Sequence, residues 1–263
     1  MDQGKRTIRT REVVGSLSVL IAVLSFWEWG IPALGTPAYI IPPVSDVAVE
    51  FFHMLANEQL LEHTLITAVT VLVGFALGSL LGIGVGYILG VSPTAEVILS
   101  PYVLALQIAP KVAFAPLFVL WFGYTIFPKI LVAILIVFFP VMINVLTAIR
   151  AVDPDLINLA RAFNASRWQI FRMIEFHVAM PPLFSGLRIG ATLAVIGVVV
   201  GELVGGNSGL GYLLIYGEGS GNTAMVFVSI IMLTIIGIFA YLLVILAERR
   251  VLHYLPRSAI QQA

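Results

Sequence analysis

The apolar residues of this chain gather into blocks long enough to cross a lipid bilayer, and that distribution constrains the fold more than any other feature. A helical span needs about 20 mostly apolar residues, because the hydrocarbon core is ~30 Å thick and a helix rises ~1.5 Å per residue. Six blocks meet that length, at residues 13–30, 64–90, 97–122, 127–149, 183–204 and 224–247. Backbone in lipid has to satisfy its own hydrogen bonds, so each block is expected to be a helix, and the alternation of membrane barrel strands is missing. Composition agrees: 60% of the residues are apolar and 11% charged, against roughly 45–50% and about 25% in soluble domains. The reading is an all-α, polytopic membrane protein with six transmembrane helices, a single transmembrane domain over 1–263. An ordinary soluble enzyme and a disordered chain are excluded.

Charge sets the orientation. Lys5, Arg6, Arg9 and Arg11 precede the first block. Arg150, Arg161, Arg167 and Arg172 lie between the fourth and fifth, with Arg188 just inside the fifth, and Arg249, Arg250 and Arg257 follow the sixth. The segment between the first two blocks carries Asp46, Glu50, Glu58 and Glu62 and no Lys or Arg. With six spans, all three basic stretches fall on one side, which the positive-inside rule makes cytoplasmic, so both termini are expected inside. A cleaved signal ending at Ala33-Leu34-Gly35 is the competing reading of the start. Trp27-Glu28-Trp29 reads instead as the interfacial anchor of a retained helix. Fourteen Lys and Arg balance fourteen Asp and Glu, so no net field draws nucleic acid. The absence of cysteine removes disulfides, thiolate nucleophiles and Cys-based metal sites.

Inside the spans, Gly74, Gly78, Gly82, Gly86 and Gly90 form a ladder with a spacing of four, Gly84 standing apart. Gly186, Gly190, Ala194, Gly197, Gly201 and Gly205 repeat the device in the fifth span, and both ladders predict close helix packing. The third span is broken by Pro101, Pro110 and Pro116. Lys111 follows the middle proline, where a lysine facing lipid costs roughly 2.5–3.5 kcal/mol. It is read either as lining or gating a solute path, or as a structural lysine held by freed carbonyls and by Glu202, the acid of the fifth span. In the outer segment, Ser45 or Asp46 is the expected N-cap of a short surface helix bearing Val47, Phe51, Met54 and Leu55. The run from Gly205 to Gly211 lacks the context of a phosphate loop and reads as a turn. His53, His63, His177 and His253 share no metal spacing, and no catalytic constellation stands out, so the chain is not read as an enzyme.

The segment 150–182 is the most informative. Asp153 is an N-cap with Pro154 at the first helical position, and Leu156, Leu159, Ala160 and Phe163 make an apolar stripe. Asn164 can take the left-handed conformation that ends a helix, and Ser166 can cap a second amphipathic helix containing Trp168 and Phe171. Two short helices with a sharp bend present an apolar knob from Ala160 to Ala165. Such a knob either lies on the membrane surface or docks a partner as a helix in a groove, and the small residues at the bend favour docking.

This segment resembles the coupling loop of ABC-type importer permeases, the binding-protein-dependent transport inner-membrane family, and among them the sulfonate, nitrate and taurine permeases with relatives for riboflavin and thiamine-pyrimidine precursors. The resemblance is carried by Ile41-Pro-Pro-Val44, the glycine-laddered second span, the run from Pro110 to Gly123, Ala160-Arg-Ala-Phe-Asn-Ala-Ser166, Ser185-Gly-Leu-Arg188, Gly201-Glu202 and Ser208-Gly-Leu-Gly211. Two departures stand out. The family's Glu-Ala-Ala triplet falls on Asn158-Leu159-Ala160 and its following glycine on Asn164; its later Leu-Pro pair falls on Phe176-His177.

The resemblance implies a half-channel in a prokaryotic inner membrane. A second permease copy would complete the path, cytoplasmic ATPase subunits would dock on residues 158–166 (Asn158, Leu159, Ala160, Arg161, Ala162, Phe163, Asn164, Ala165 and Ser166), and an outer binding protein would deliver a small solute. No cofactor is implied, and ATP hydrolysis would belong to the separate subunit. An ion-coupled secondary transporter, the rival reading, needs intramembrane carboxylates and usually an inverted repeat. Only Glu202 qualifies, and no repeat is visible.

Overall fold

The structure is a computed structural model that describes residues 2–57 and 59–253, with side chains from 14 onward excepting Gln59. Glu58 and Arg257, part of the charge argument, lie outside the described residues, as do the side chains of Lys5, Arg6, Arg9 and Arg11. The chain divides into two compact units, one drawn from Met1–Glu62 and Leu213–Ile231, the other from His63–Tyr212 and Met232–Ala263.

The first unit opens with α1, Asp2–Ser25, which continues through a wide turn at Phe26–Gly30 into Ile31–Ala33. None of its apolar window, within Val14–Ala33, is buried. A second helix, α2, spans Val44–Ala56. Its start corrects the expected cap: Pro43 occupies the cap position, and Ser45 and Asp46 lie in the first turn. Proline fixes φ and has no N–H to satisfy, while the Glu28 carboxylate accepts from the Ser45 backbone N–H at 3.0 Å and hydroxyl at 2.8 Å. Glu28 thus caps α2 from another helix. The Trp27 indole donates to the Pro42 carbonyl at 2.9 Å and its ring meets Phe227 at 5.3 Å, so this anchor residue is tied to its own unit.

The second unit is built around α6, Ile126–Arg150. The elements leading to it are α3, Gln59–Val91, then α4, Pro93–Ile108, a short turn at Lys111–Phe114, and α5, Ala115–Phe122. After it come α7, Pro154–Ala162, and α8, Arg167–Gly205. The last two helices, α9, Leu210–Gly219, and α10, Thr223–Val251, each continue from one unit into the other along the chain. Among the described residues five helices are long and apolar enough to cross a membrane, and a sixth span results if α4 and α5, bent by 82°, count as one. That break is the one the prolines predict.

The glycine ladders explain the core. A Cβ at Gly74, Gly78, Gly82, Gly86 or Gly90 would lie 2.5–2.9 Å from an atom of α6. A Cβ at Gly197 or Gly201 would lie 2.6 Å from the α6 backbone, at Ala133 and Lys129. Backbone-to-backbone packing on both sides leaves Val132, Ala133, Val137, Val141 and Met142 of α6 with no exposed surface. The sequence expectation of a fifth span beginning at 183 is corrected: α8 runs unbroken from Arg167, straight through Pro181 and Pro182. A wide turn at Phe171–Glu175 precedes these prolines and shifts the hydrogen-bond register.

Candidate functional site

The bend between α7 and α8 is assembled by local capping chemistry. Asp153 accepts from the Asp155 N–H at 2.8 Å and starts α7. At the other end Asn164 stands at φ 56°, the one positive φ outside glycine among the described residues. Its N–H donates to Arg161 O at 2.9 Å, and the next N–H, of Ala165, reaches Ala160 O at 3.0 Å. This pair of bonds is a Schellman end with asparagine in the place of glycine. Ser166 and Gln169 then cap α8 reciprocally, through Gln169 N–H to Ser166 Oγ at 3.3 Å and Ser166 N–H to Gln169 Oε1 at 2.7 Å. The elbow is therefore rigid without any partner. Its apolar side stays uncovered: Leu156, Leu159 and Phe163 are 47%, 56% and 79% exposed. Behind it, an apolar cavity of about 630 Å³ lies between α3, α6 and the start of α8, lined by Tyr87, Trp168, Phe171 and Met180 among others. Gly84 lines this cavity, which is why it stands off the ladder. The Tyr87 hydroxyl donates to buried Glu175 at 2.9 Å.

At the break between α4 and α5, the Lys111 ammonium donates to the Gln107 carbonyl and lies 4.8 Å from the Phe139 ring centroid. A carbonyl freed by the end of α4 and an aromatic face hold the charge, as expected for a lysine after a helix-breaking proline.

Glu202 does not meet Lys111: of the two partners offered for a structural Lys111, the freed carbonyl is present and Glu202 is engaged elsewhere. Glu202 has no exposed surface and faces Lys129 of α6, its Oε1 3.9 Å from the ammonium. The Thr67 hydroxyl of α3 donates to Glu202 Oε1 at 2.9 Å, and the Gly211 N–H donates to Oε2 at 2.7 Å. Lys129, 2% exposed, donates to Ser208 O at 2.6 Å. Leu210 N–H reaches the Thr67 hydroxyl, and Gly209 N–H reaches His63 Nδ1, each at 2.8 Å. The glycine-rich turn thus folds around a carboxylate of its own chain. A Cβ at Gly209, where φ is +105°, would lie 2.0 Å from Glu202 Oε1.

The family model for the binding-protein-dependent transport system inner membrane component matches residues 77–253. The chain belongs to this family of ABC importer permeases. It is 40% identical over 230 residues to the riboflavin transport system permease protein of Chloroflexus aurantiacus, covering 88% of this chain and 86% of the relative. The putative aliphatic sulfonates transport permease protein of Bacillus subtilis is 33% identical over 233 residues, 88% of this chain and 84% of its own. The formylaminopyrimidine transport permease protein of Halalkalibacterium halodurans is 31% identical over 225 residues, 84% and 88% respectively.

In this permease the matched region contains the whole elbow, residues 158–166 included. Lys111 and Glu202 occupy separate places. Sequence reasoning missed Lys129, Thr67 and Gln169. Lys129 did carry a signal, since it lies inside the block 127–149. A second ion pair was also missed, Arg188 Nη2 to Glu248 Oε1 at 3.4 Å, as was the contact of Arg150 with Glu96 that ties α6 to the start of α4.

Proposed function

We propose that this permease is one half of an ATP-driven import channel, with two copies forming the path, cytoplasmic ATPase subunits seated on the 158–166 elbow and an outer binding protein handing over the solute. The observation that carries this reading is the elbow: pre-capped at both helices, apolar, and exposed to its tip at Phe163. The basic stretches support cytoplasmic termini, with 1–263 acting as one permease domain and 150–182 as its coupling loop. The solute class is a sulfonate-, nitrate- or taurine-like anion or a related vitamin precursor (riboflavin or a thiamine pyrimidine); the names of the relatives support its sulfonate, riboflavin and pyrimidine members. Lys111, at a broken helix, and Glu202, at the glycine-rich turn, are assigned to the translocation path or its gate.

The test is assembly and ATP hydrolysis. Ala160→Glu or Phe163→Asp should abolish co-purification of the ATPase and the binding-protein stimulation of its turnover, while the permease elutes at the normal size in detergent. Normal co-purification by both variants would refute the docking surface.

A further inference from the structure

Helix α8 carries a polar stripe that neither the elbow nor the Glu202 network uses. Ser185, Arg188 and Thr192 recur at helical spacing on one face, with Tyr241 of α10 beside them, around a cavity of about 310 Å³. All belong to the same compact unit. Arg188 stands just inside the apolar length of α8, where an arginine facing lipid is costly. Glu248, 3% exposed, does not line the cavity; it takes one edge of the guanidinium at 3.4 Å. The Arg188 Nη2 also donates to Ser185 Oγ at 3.3 Å, while its Nε is buried with no hydrogen-bond partner among the described residues. The Thr192 hydroxyl gives its proton to the Ile189 carbonyl at 2.9 Å, so the donors of the lining are the guanidinium and the hydroxyls of Ser185 and Tyr241, with Thr192 as a wall and no carboxylate. Such a donor set suits an oxyanion, because guanidinium N–H groups match its oxygens in pairs. The volume, at the small end of ligand sites, suits a small molecule.

We infer that Ser185, Arg188, Thr192 and Tyr241 form a contact site for the oxyanion group, sulfonate or carboxylate, of the solute crossing the membrane, with Glu248 positioning the guanidinium from behind. This rests on the permease reading and adds where the solute is held along the path.

The chain has no cysteine, so a single Thr192→Cys permease in the reconstituted importer reports access, read on the permease band. The probes are the methanethiosulfonates bearing a sulfonatoethyl or a trimethylammonium-ethyl group. Relative to their rates with a small free thiol, the sulfonate reagent should be favoured about tenfold over the cationic one, as a nearby, partly screened positive charge dictates. Millimolar methanesulfonate should slow it. Adding Arg188→Gln should erase both effects, and Arg188→Lys, which keeps the charge, should retain the preference. Absence of labelling, equal rates for the two reagents once each is normalised to a free thiol, or slowing by anionic lipid alone would overturn the site. Failed labelling with ATP-driven uptake by the unsubstituted importer would overturn the site alone, whereas absence of that uptake would overturn the functional reading.

Discussion

Replacing Lys129 by Met tests whether the glycine-rich turn is held by a buried charge pair. Lys129 and Glu202 are 2% and 0% exposed and 3.9 Å apart, a separation that gives about 4 kcal/mol of attraction at an effective dielectric of about 20. Much of that offsets the cost of taking both charges out of water, so the pair adds little net stability. Removing one partner is different, because it strands a buried charge at a cost of about 3–5 kcal/mol. Thr67 and the Gly211 N–H remain to hold Glu202, which places Lys129→Met near the lower end. Glu202→Gln keeps an acceptor for Gly211 but leaves Lys129 only its bonds to Ser208. The double variant should therefore lose less than the sum of the singles, with a coupling of about 2 kcal/mol. Thermal unfolding of the purified permease in detergent reads this out, and Lys129→Met should lower Tm by on the order of 10 °C. A wild-type Tm for Lys129→Met, or strict additivity in the double variant, would refute the reasoning.

Three further outcomes follow from named atoms. Gly86→Ala puts a Cβ 2.5 Å from Met142 O and should destabilise by about 1–3 kcal/mol, whereas Gly84→Ala, with nothing within 4 Å, should leave Tm unchanged or raised; the same unfolding assay compares them. Asn164→Gly should keep ATPase association and Asn164→Val should weaken it, since a β-branched residue at φ 56° costs on the order of 1–2 kcal/mol, measured by co-purification. Lys111→Met should alter uptake without loss of expression, and unchanged uptake would return Lys111 to a structural role at the break.

Much of this was legible because it is local chemistry. The caps at Asp153 and Ser166 and the left-handed Asn164 follow from residues within three or four positions of one another, and the ladder at Gly74 to Gly90 follows from helical period alone. What escaped was tertiary. Glu202 finds partners 135 positions away at Thr67 and, through Lys129, a turn 79 positions from that lysine. Nothing in linear spacing distinguishes Lys129 from Lys111 as the partner. Pro181 and Pro182 read as the end of a loop because proline usually stops a helix. The wide turn at Phe171–Glu175 that precedes them leaves no mark in the sequence.

The central claim is that transport through this permease is powered by ATP hydrolysed on a partner seated at the 158–166 elbow. Uptake into proteoliposomes holding the permease with its ATPase, supplied with binding protein and labelled solute, tests it most directly. The account predicts uptake that requires ATP, persists when ion gradients are collapsed and disappears with Phe163→Asp. Uptake driven by an ion gradient in the absence of ATP would contradict it.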